Sequence, residues 1–167
     1  MKEEENYVYI ACSMIKAQKL DFSLLDYLIS FVEKQNYLTF VPGKMEKAPP
    51  KVVFKRDLNW LQQSNKIIAD VNEPSHGVGM EIMYAYEHDI PVICLLNENN
   101  KPLSRMVEGC PYVYLILYKD KEELDSKMSC LKLDNIIIEY CNNCGEKTVH
   151  EEKTCKKCLK NGRPEAI

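Results

Sequence analysis

The segment from residue 55 to residue 81 constrains the fold of this chain more than any other part of the sequence. Its centre, IIAD at 67 to 70, is a short β-branched run of the kind that forms a buried parallel strand. An amphipathic helical pattern precedes the run, and a polar loop follows it before Gly77 opens a second helical pattern. The segment therefore predicts helix, strand, loop and helix, with Asp57 on the first helix and Glu81 on the second.

The rest of the chain continues this alternation. The helices and strand of that segment are predicted at 52–64, 77–88 and 66–71. Further strands are predicted at 7–13, 38–41, 91–96 and 112–118, and further helices at 20–35, 103–108 and 120–131. The alternation predicts an α/β fold, a doubly wound (flavodoxin-like), mostly parallel five-stranded sheet with helices on both faces. Apolar residues become sparse after Leu133, so we place a domain boundary near Asp134 and predict two units, 1–134 and 135–167.

Asp57 and Glu81 are the candidate catalytic residues. In an open α/β sheet, small ligands bind outside the carboxyl ends of the strands, where the loop at 71–76 is expected to lie. Asp57 lies beside an apolar stripe of Phe54, Leu58 and Leu61, which predicts partial burial of its carboxyl group. Two carboxylates in different environments suit acid–base and nucleophilic chemistry. The alternative is that both acids are ordinary surface residues.

The C-terminal cysteines predict a metal site. Cys141-x2-Cys144 and Cys155-x2-Cys158 form two CxxC pairs, whereas the other four of the eight cysteines are scattered among apolar residues. Two such knuckles on a short hairpin match tetrahedral Zn²⁺ in a small zinc ribbon, with no open position for catalysis. The unit has few apolar residues, so a structural Zn²⁺ is expected to supply its folding free energy.

Composition excludes several classes of protein. The formal net charge of −3 argues against a general affinity for nucleic acid. No apolar run approaches the roughly 20 residues that span a bilayer, and the acidic segment 1–6 lacks a signal-peptide core, so we predict a soluble, cytoplasmic protein. The ribbon is rich in lysine, yet we favour a structural cap or a dimer contact over nucleic-acid binding.

Two blocks of sequence carry a family resemblance. DLNWLQQ at 57–63 and PSHGVGME at 74–81 resemble the nucleoside 2-deoxyribosyltransferase superfamily, and most closely its 2'-deoxynucleoside 5'-phosphate N-hydrolase branch, over residues 7 to 130. The resemblance implies that Glu81 is the nucleophile, that Asp57 is the general acid/base and that Tyr9 contacts the glutamate. It implies no cofactor for catalysis.

The resemblance also implies a substrate-binding set. Gly77 and Gly79 open the second helix beside the substrate, and Gly77 has no side chain to block a sugar. Ser13, Ser75 and Ser104 match positions that bind the 5'-phosphate, with Ser104 donated by the neighbouring subunit of a homodimer. Capping of the helix at Gly77 is the alternative role of Ser75.

One position departs from the family. The arginine that follows the first serine by two residues is replaced by Ile15. The neighbouring Lys16 reaches the phosphate only if the loop is irregular, because on a regular strand it faces the other way.

The leading hypothesis is therefore a hydrolase that cleaves the N-glycosidic bond of (deoxy)nucleoside 5'-monophosphates. A nucleoside 2-deoxyribosyltransferase, in which a second base replaces water, is the first alternative. A non-catalytic nucleotide sensor is the second alternative, and the presence of both acids argues against it. Neither the base nor the sugar can be read from the sequence.

Overall fold

A computed structural model describes residues 6–13 and 22–160, and it contains two sheets. The first sheet has five parallel strands in the order β2-β1-β3-β4-β5, and the second has three antiparallel strands in the order β6-β7-β8. The strands are β1 (Tyr7–Ala11), β2 (Leu38–Phe40), β3 (Ser64–Asp70), β4 (Val92–Asn97), β5 (Val113–Tyr118), β6 (Ile136–Cys141), β7 (Glu146–Glu151) and β8 (Thr154–Cys155). The helices are α1 (Phe22–Glu33), α2 (Pro50–Gln63), α3 (His76–Glu87), α4 (Arg105–Gly109), α5 (Lys121–Cys130) and α6 (Lys156–Lys160).

Helices cover both faces of the five-stranded sheet. Alternate residues of β1 point to opposite faces, so that Val8 packs with buried residues of α1 and α5, whereas Tyr9 packs with buried residues of α2 and α3. The central strands are apolar on both sides, as a parallel sheet between two helical layers requires. The predicted doubly wound α/β fold is confirmed, and its strand order is the flavodoxin-like one.

The apolar stripe of α2 is only partly covered by the rest of the protein. Of Phe54, Leu58 and Leu61, only Leu61 is buried, and Phe54 is 56% exposed. The helix also begins earlier than predicted, at Pro50, a residue that suits the first helical turn. Helical spacing shows which residues share a face, but it does not show how much of that face the sheet covers.

The second sheet packs against the first. Ile136 and Val149 are buried in the same hydrophobic cluster as Met128 of α5 and Ile116 of β5. The predicted boundary at Asp134 lies in the short link before β6, and whether the two units fold independently stays a prediction. Among the residues that the structure describes, no helix is long and apolar enough to cross a membrane.

Candidate active site

The strand order places the candidate site at the carboxyl ends of β1 and β3. These two strands are adjacent, and the chain proceeds in opposite directions across the sheet on either side of them. Such a switch point leaves a crevice between the loops that follow the two strands. Ser13 follows β1, and the loop 71–75 follows β3 and leads into α3.

A buried tyrosine and a half-buried glutamate form the centre of the site. The Tyr9 hydroxyl donates a hydrogen bond of 2.6 Å to Oε1 of Glu81, joining β1 to α3. Burial raises the pKa of Glu81 to about 7; the hydrogen bond from Tyr9 acts in the opposite direction, and the charge of Asp57 raises the pKa further. Burial and the charge of Glu81 also raise the pKa of Tyr9, so its hydroxyl stays protonated and remains a donor.

Asp57 belongs to the same charged group, and Arg56 accompanies it. The Arg56 Nε donates to Oδ1 of Asp57 at 2.7 Å, and only 23% and 17% of the two side chains are exposed. The charge of Asp57 raises the pKa of both Tyr9 and Glu81, whereas the charge of Arg56 lowers the pKa of Tyr9. The structure therefore brings Tyr9, Asp57 and Glu81 together from three different elements.

Sequence reasoning missed Arg56. The guanidinium group lies 6.0 Å from the centre of the Phe40 ring, which in turn contacts Tyr9 at 5.5 Å between ring centroids. Its position directly before Asp57 was the only signal, and neighbours in a helix do not normally face each other. Trp60 stacks on Phe40 at 4.8 Å between ring centroids.

A serine-lined cleft lies at the start of α3, the helix that carries Glu81. Its volume is about 420 Å³, and its lining includes Ser13, Ser75, Gly77, Gly79 and Ser104. The cleft therefore contains all five predicted substrate-binding residues, although they lie on three separate segments. Glu81 does not line this cleft, but it lies one helical turn after Gly77 on α3.

The environments of the serines differ. Ser75 caps α3, since its Oγ accepts from the backbone N–H of Val78 at 3.5 Å, and Ser13 is only 8% exposed. Ser104 precedes α4 without a side-chain capping bond. A Cβ added at Gly79 would meet nothing within 4 Å, so the helix start is open to the cleft. Ile15 and Lys16 lie outside the described residues.

The loop after β3 is held by one asparagine. Asn72 donates to Oδ1 of Asp70 and to the hydroxyl of Tyr118, and its Oδ1 accepts from the backbone of Asn97 and from the side chain of Asn100. These bonds tie the loop that precedes Ser75 to the ends of β4 and β5. Part of the cleft is therefore fixed before any ligand binds.

The four C-terminal cysteines converge on one point. Their Sγ atoms all lie within 4.8 Å of one another, with 3.6 Å between Cys141 and Cys158 and 3.9 Å between Cys144 and Cys155. A tetrahedral ion with bonds of about 2.3 Å needs sulfur atoms about 3.8 Å apart. Donors also point at the sulfurs, among them the backbone N–H of Cys158 towards Cys155 at 3.5 Å. The cluster therefore has the dimensions of a metal site.

An apolar groove borders the cleft. It lies between α3 and α4, and Met83, Tyr86 and Met106 in its lining are 47%, 39% and 80% exposed. Ser104 lines both the groove and the cleft.

Several curated proteins are similar to this chain in sequence. A putative 2'-deoxynucleoside 5'-phosphate N-hydrolase 1 of Syntrophotalea carbinolica is 37% identical over 73 residues, which are 43% of this chain and 51% of that protein. The protein of the same name from Thermofilum pendens is 29% identical over 134 residues, 74% of this chain and 93% of its own. The chain thus spans about half the length of the first relative and nearly all of the second. No family model matches the chain.

Two solved structures share the fold. The CMP N-glycosidase of Clostridium botulinum superposes with a TM-score of 0.61 at 22% identity, covering 75% of this chain and all (100%) of that one. A 2-desoxiribosyltransferase from Leishmania mexicana superposes with a TM-score of 0.51 at 13% identity, covering 74% of this chain and 97% of that one. The sequence resemblance to 2'-deoxynucleoside 5'-phosphate N-hydrolases is confirmed, and the fold is shared with a 2-desoxiribosyltransferase.

Proposed function

We propose that this protein hydrolyses the N-glycosidic bond of (deoxy)nucleoside 5'-monophosphates, releasing the free base and (deoxy)ribose 5-phosphate. The observation that carries the proposal is the half-buried Glu81 carboxyl group, which accepts a hydrogen bond of 2.6 Å from Tyr9 next to a cleft that three serines line. The names of the similar proteins, N-hydrolases of nucleotides and a CMP N-glycosidase, support the same reaction class.

Glu81 is the nucleophile in this proposal. Its ionised carboxylate attacks C1' of the sugar, the bond from C1' to the base nitrogen breaks, and the base takes the bonding electrons. The product is a glycosyl ester on Glu81, which splits one difficult step into two easier ones. Tyr9 orients the carboxylate through its hydrogen bond, leaving the other oxygen of Glu81 for the attack.

Asp57 assists both steps. It delivers a proton to the departing base, and in the second step it removes a proton from the water that attacks C1' and releases Glu81. Arg56 restrains the Asp57 side chain through the bond of 2.7 Å, so the carboxyl group is already oriented before substrate enters.

The 5'-phosphate belongs in the serine-lined cleft. Ser13 and Ser104 contribute hydroxyl groups, and the cleft includes the N-terminus of α3, where backbone N–H groups and the helix dipole favour an anion. Phosphate bound there places the sugar over the turn that separates Gly77 from Glu81.

Phosphorylated substrates are therefore expected to be cleaved much faster than the matching nucleosides. The test is incubation with a panel of nucleoside and deoxynucleoside 5'-monophosphates, with the unphosphorylated nucleosides as controls, and chromatography of the released base. Release from one or more monophosphates supports the hydrolase and identifies the base and sugar. Equal rates with and without phosphate favour the transferase, because phosphate would then play no part in recognition. Replacement of the family arginine by Ile15 is the feature of the sequence that allows this outcome.

The pH dependence tests the state of Glu81. Because the nucleophile must be ionised and its pKa is about 7, kcat/KM is expected to fall as the pH decreases through 7. Tyr9→Phe removes the bond that stabilises the carboxylate, so this acidic limb should shift to higher pH. The substrate phosphate also titrates near pH 6, but it does so equally with the wild-type protein and with Tyr9→Phe. The shift of the acidic limb between these two proteins therefore reports on Glu81. A limb that stays in place, or moves to lower pH, contradicts the assignment.

We also propose that Cys141, Cys144, Cys155 and Cys158 bind one structural Zn²⁺. The distances between the sulfurs fit the tetrahedron, and four thiolates leave no position for substrate. Three lysines of the ribbon, Lys147, Lys156 and Lys157, pair with acids, which weakens any attraction to nucleic acid.

A homodimer through the apolar groove completes the proposal. The exposed side chains of Met83, Tyr86 and Met106 form the kind of patch that mediates association. Ser104 lines the cleft of its own chain where the groove meets it, and its donation across a dimer interface stays a prediction from the resemblance. A cytoplasmic location stays a prediction from the sequence.

A further inference from the structure

We infer that the cysteine ribbon positions α4, so that Thr148 of the ribbon controls how well Ser104 is placed for the substrate phosphate. The inference rests on the proposed function and assigns the ribbon a role within it. Thr148 is a positioning residue, because it lies in β7 and acts through Pro111 rather than by touching substrate.

Helix α4 has little packing of its own. It is five residues long, and four of them are exposed; only Val107 packs partly against the core. Ser104 stands at its N-terminus, and the backbone of Glu108 bonds back to the Ser104 carbonyl at 2.9 Å. The position of Ser104 therefore depends on where the C-terminal end of α4 is attached.

That attachment is provided by the ribbon. The carbonyl oxygen of Pro111, two residues after α4, accepts from the Thr148 hydroxyl at 2.8 Å and from the backbone N–H of Val149 at 2.9 Å. Thr148 and Val149 are each only 1% exposed. Two hydrogen bonds on one carbonyl, both from residues that are themselves buried, fix the connection between α4 and β5.

Neighbouring contacts hold β7 in this position. Lys147 pairs with Asp89 at 2.6 Å, and Asp89 also accepts from the hydroxyl of Tyr112 at 2.8 Å. On the other side, the hydroxyl of Tyr114 donates to Glu151 at 2.9 Å. The ribbon is therefore attached to Pro111, to Tyr114 of β5 and, through Lys147, to Asp89.

The cysteines explain why β7 stays folded. β7 lies between β6 and β8 in the small sheet, with Cys141 at the end of β6, Cys155 on β8 and Cys158 on α6. The cysteine cluster links the elements on both sides of β7. The geometry thus connects the cluster to Thr148, then to Pro111 and finally to α4 and Ser104.

The test compares Thr148→Val with Thr148→Ser in the full-length, zinc-loaded protein. Valine keeps the shape of threonine but lacks the hydroxyl group, whereas serine keeps the hydroxyl group. For the monophosphate that the wild-type protein cleaves, Thr148→Val should raise KM about three- to tenfold, as expected for loss of one buried hydrogen bond. kcat and the cleavage of the matching nucleoside should not change, and Thr148→Ser should restore KM. Lys153→Ala, an exposed change elsewhere in the ribbon, is the control.

An unchanged KM in Thr148→Val overturns the inference, and so does an equal loss on nucleoside and monophosphate. A second measurement needs neither activity nor a folded variant. Hydrogen exchange of the wild-type protein, with and without a zinc chelator, should show faster exchange at 105–113 after chelation while 92–96 stay protected. Unchanged exchange at 105–113 rejects the inference, even if no nucleotide is cleaved and the proposed function itself fails.

Discussion

Glu81→Ala is expected to abolish base release from nucleoside 5'-monophosphates. No other carboxyl group of the described residues is bonded to Tyr9, and Asp57 is engaged with Arg56. Without Glu81 the glycosyl ester cannot form, so the rate should fall by about 10³-fold or more, as it does when the nucleophile of an active site is removed. Measurement of released base under single-turnover conditions gives the rate directly.

Two further variants make this result specific. Glu81→Gln keeps the shape and still accepts the Tyr9 hydrogen bond, so it should be nearly as inactive as Glu81→Ala while binding the nucleotide normally. Glu87→Ala changes an exposed acid at the end of the same helix and should retain the wild-type rate. A Glu81→Ala protein with most of the wild-type activity would falsify the assignment of the nucleophile.

Cys144→Ser/Cys158→Ser is expected to lose all bound metal and to unfold the ribbon. The wild-type protein should contain about one equivalent of zinc per chain, and metal analysis after purification measures it. The unit should unfold without metal, since structural zinc contributes on the order of 10 kcal/mol to the folding of such small units. Cys130→Ser is the matched control, because Cys130 is an exposed free cysteine outside the cluster.

The five-stranded sheet should survive this change. Its strands are covered by α1, α2, α3 and α5, which belong to the first 134 residues. The double variant should therefore keep its core circular dichroism and some activity on the unphosphorylated nucleoside, with a raised KM for the monophosphate. A well-folded but completely inactive protein would place the ribbon inside the active site and would show that the division at Asp134 is wrong.

The strands and most helices follow from local patterns in the sequence. The run at 67–70 predicts β3 because a β-branched segment between helical patterns has few other ways to bury its side chains. Helix ends agree less well, as α1 ends at Glu33 rather than at 35, because fraying and capping depend on contacts outside the helix. Phe54 shows the limit, since its spacing places it on the apolar stripe and yet it is 56% exposed.

The sequence by itself determined the chemistry available to this protein: two acids in family-like blocks, three serines and four cysteines at metal-binding spacing. Such features depend on residue type and short-range spacing, which the chain states directly. Only the tertiary structure decided that Tyr9 bonds to Glu81, that Arg56 joins Asp57, and that Thr148 holds Pro111. Two of these contacts join residues 72 and 37 positions apart, and the third depends on rotamers that spacing does not specify. They arise because the strand order and the packing of both sheets bring distant segments to one end of the molecule.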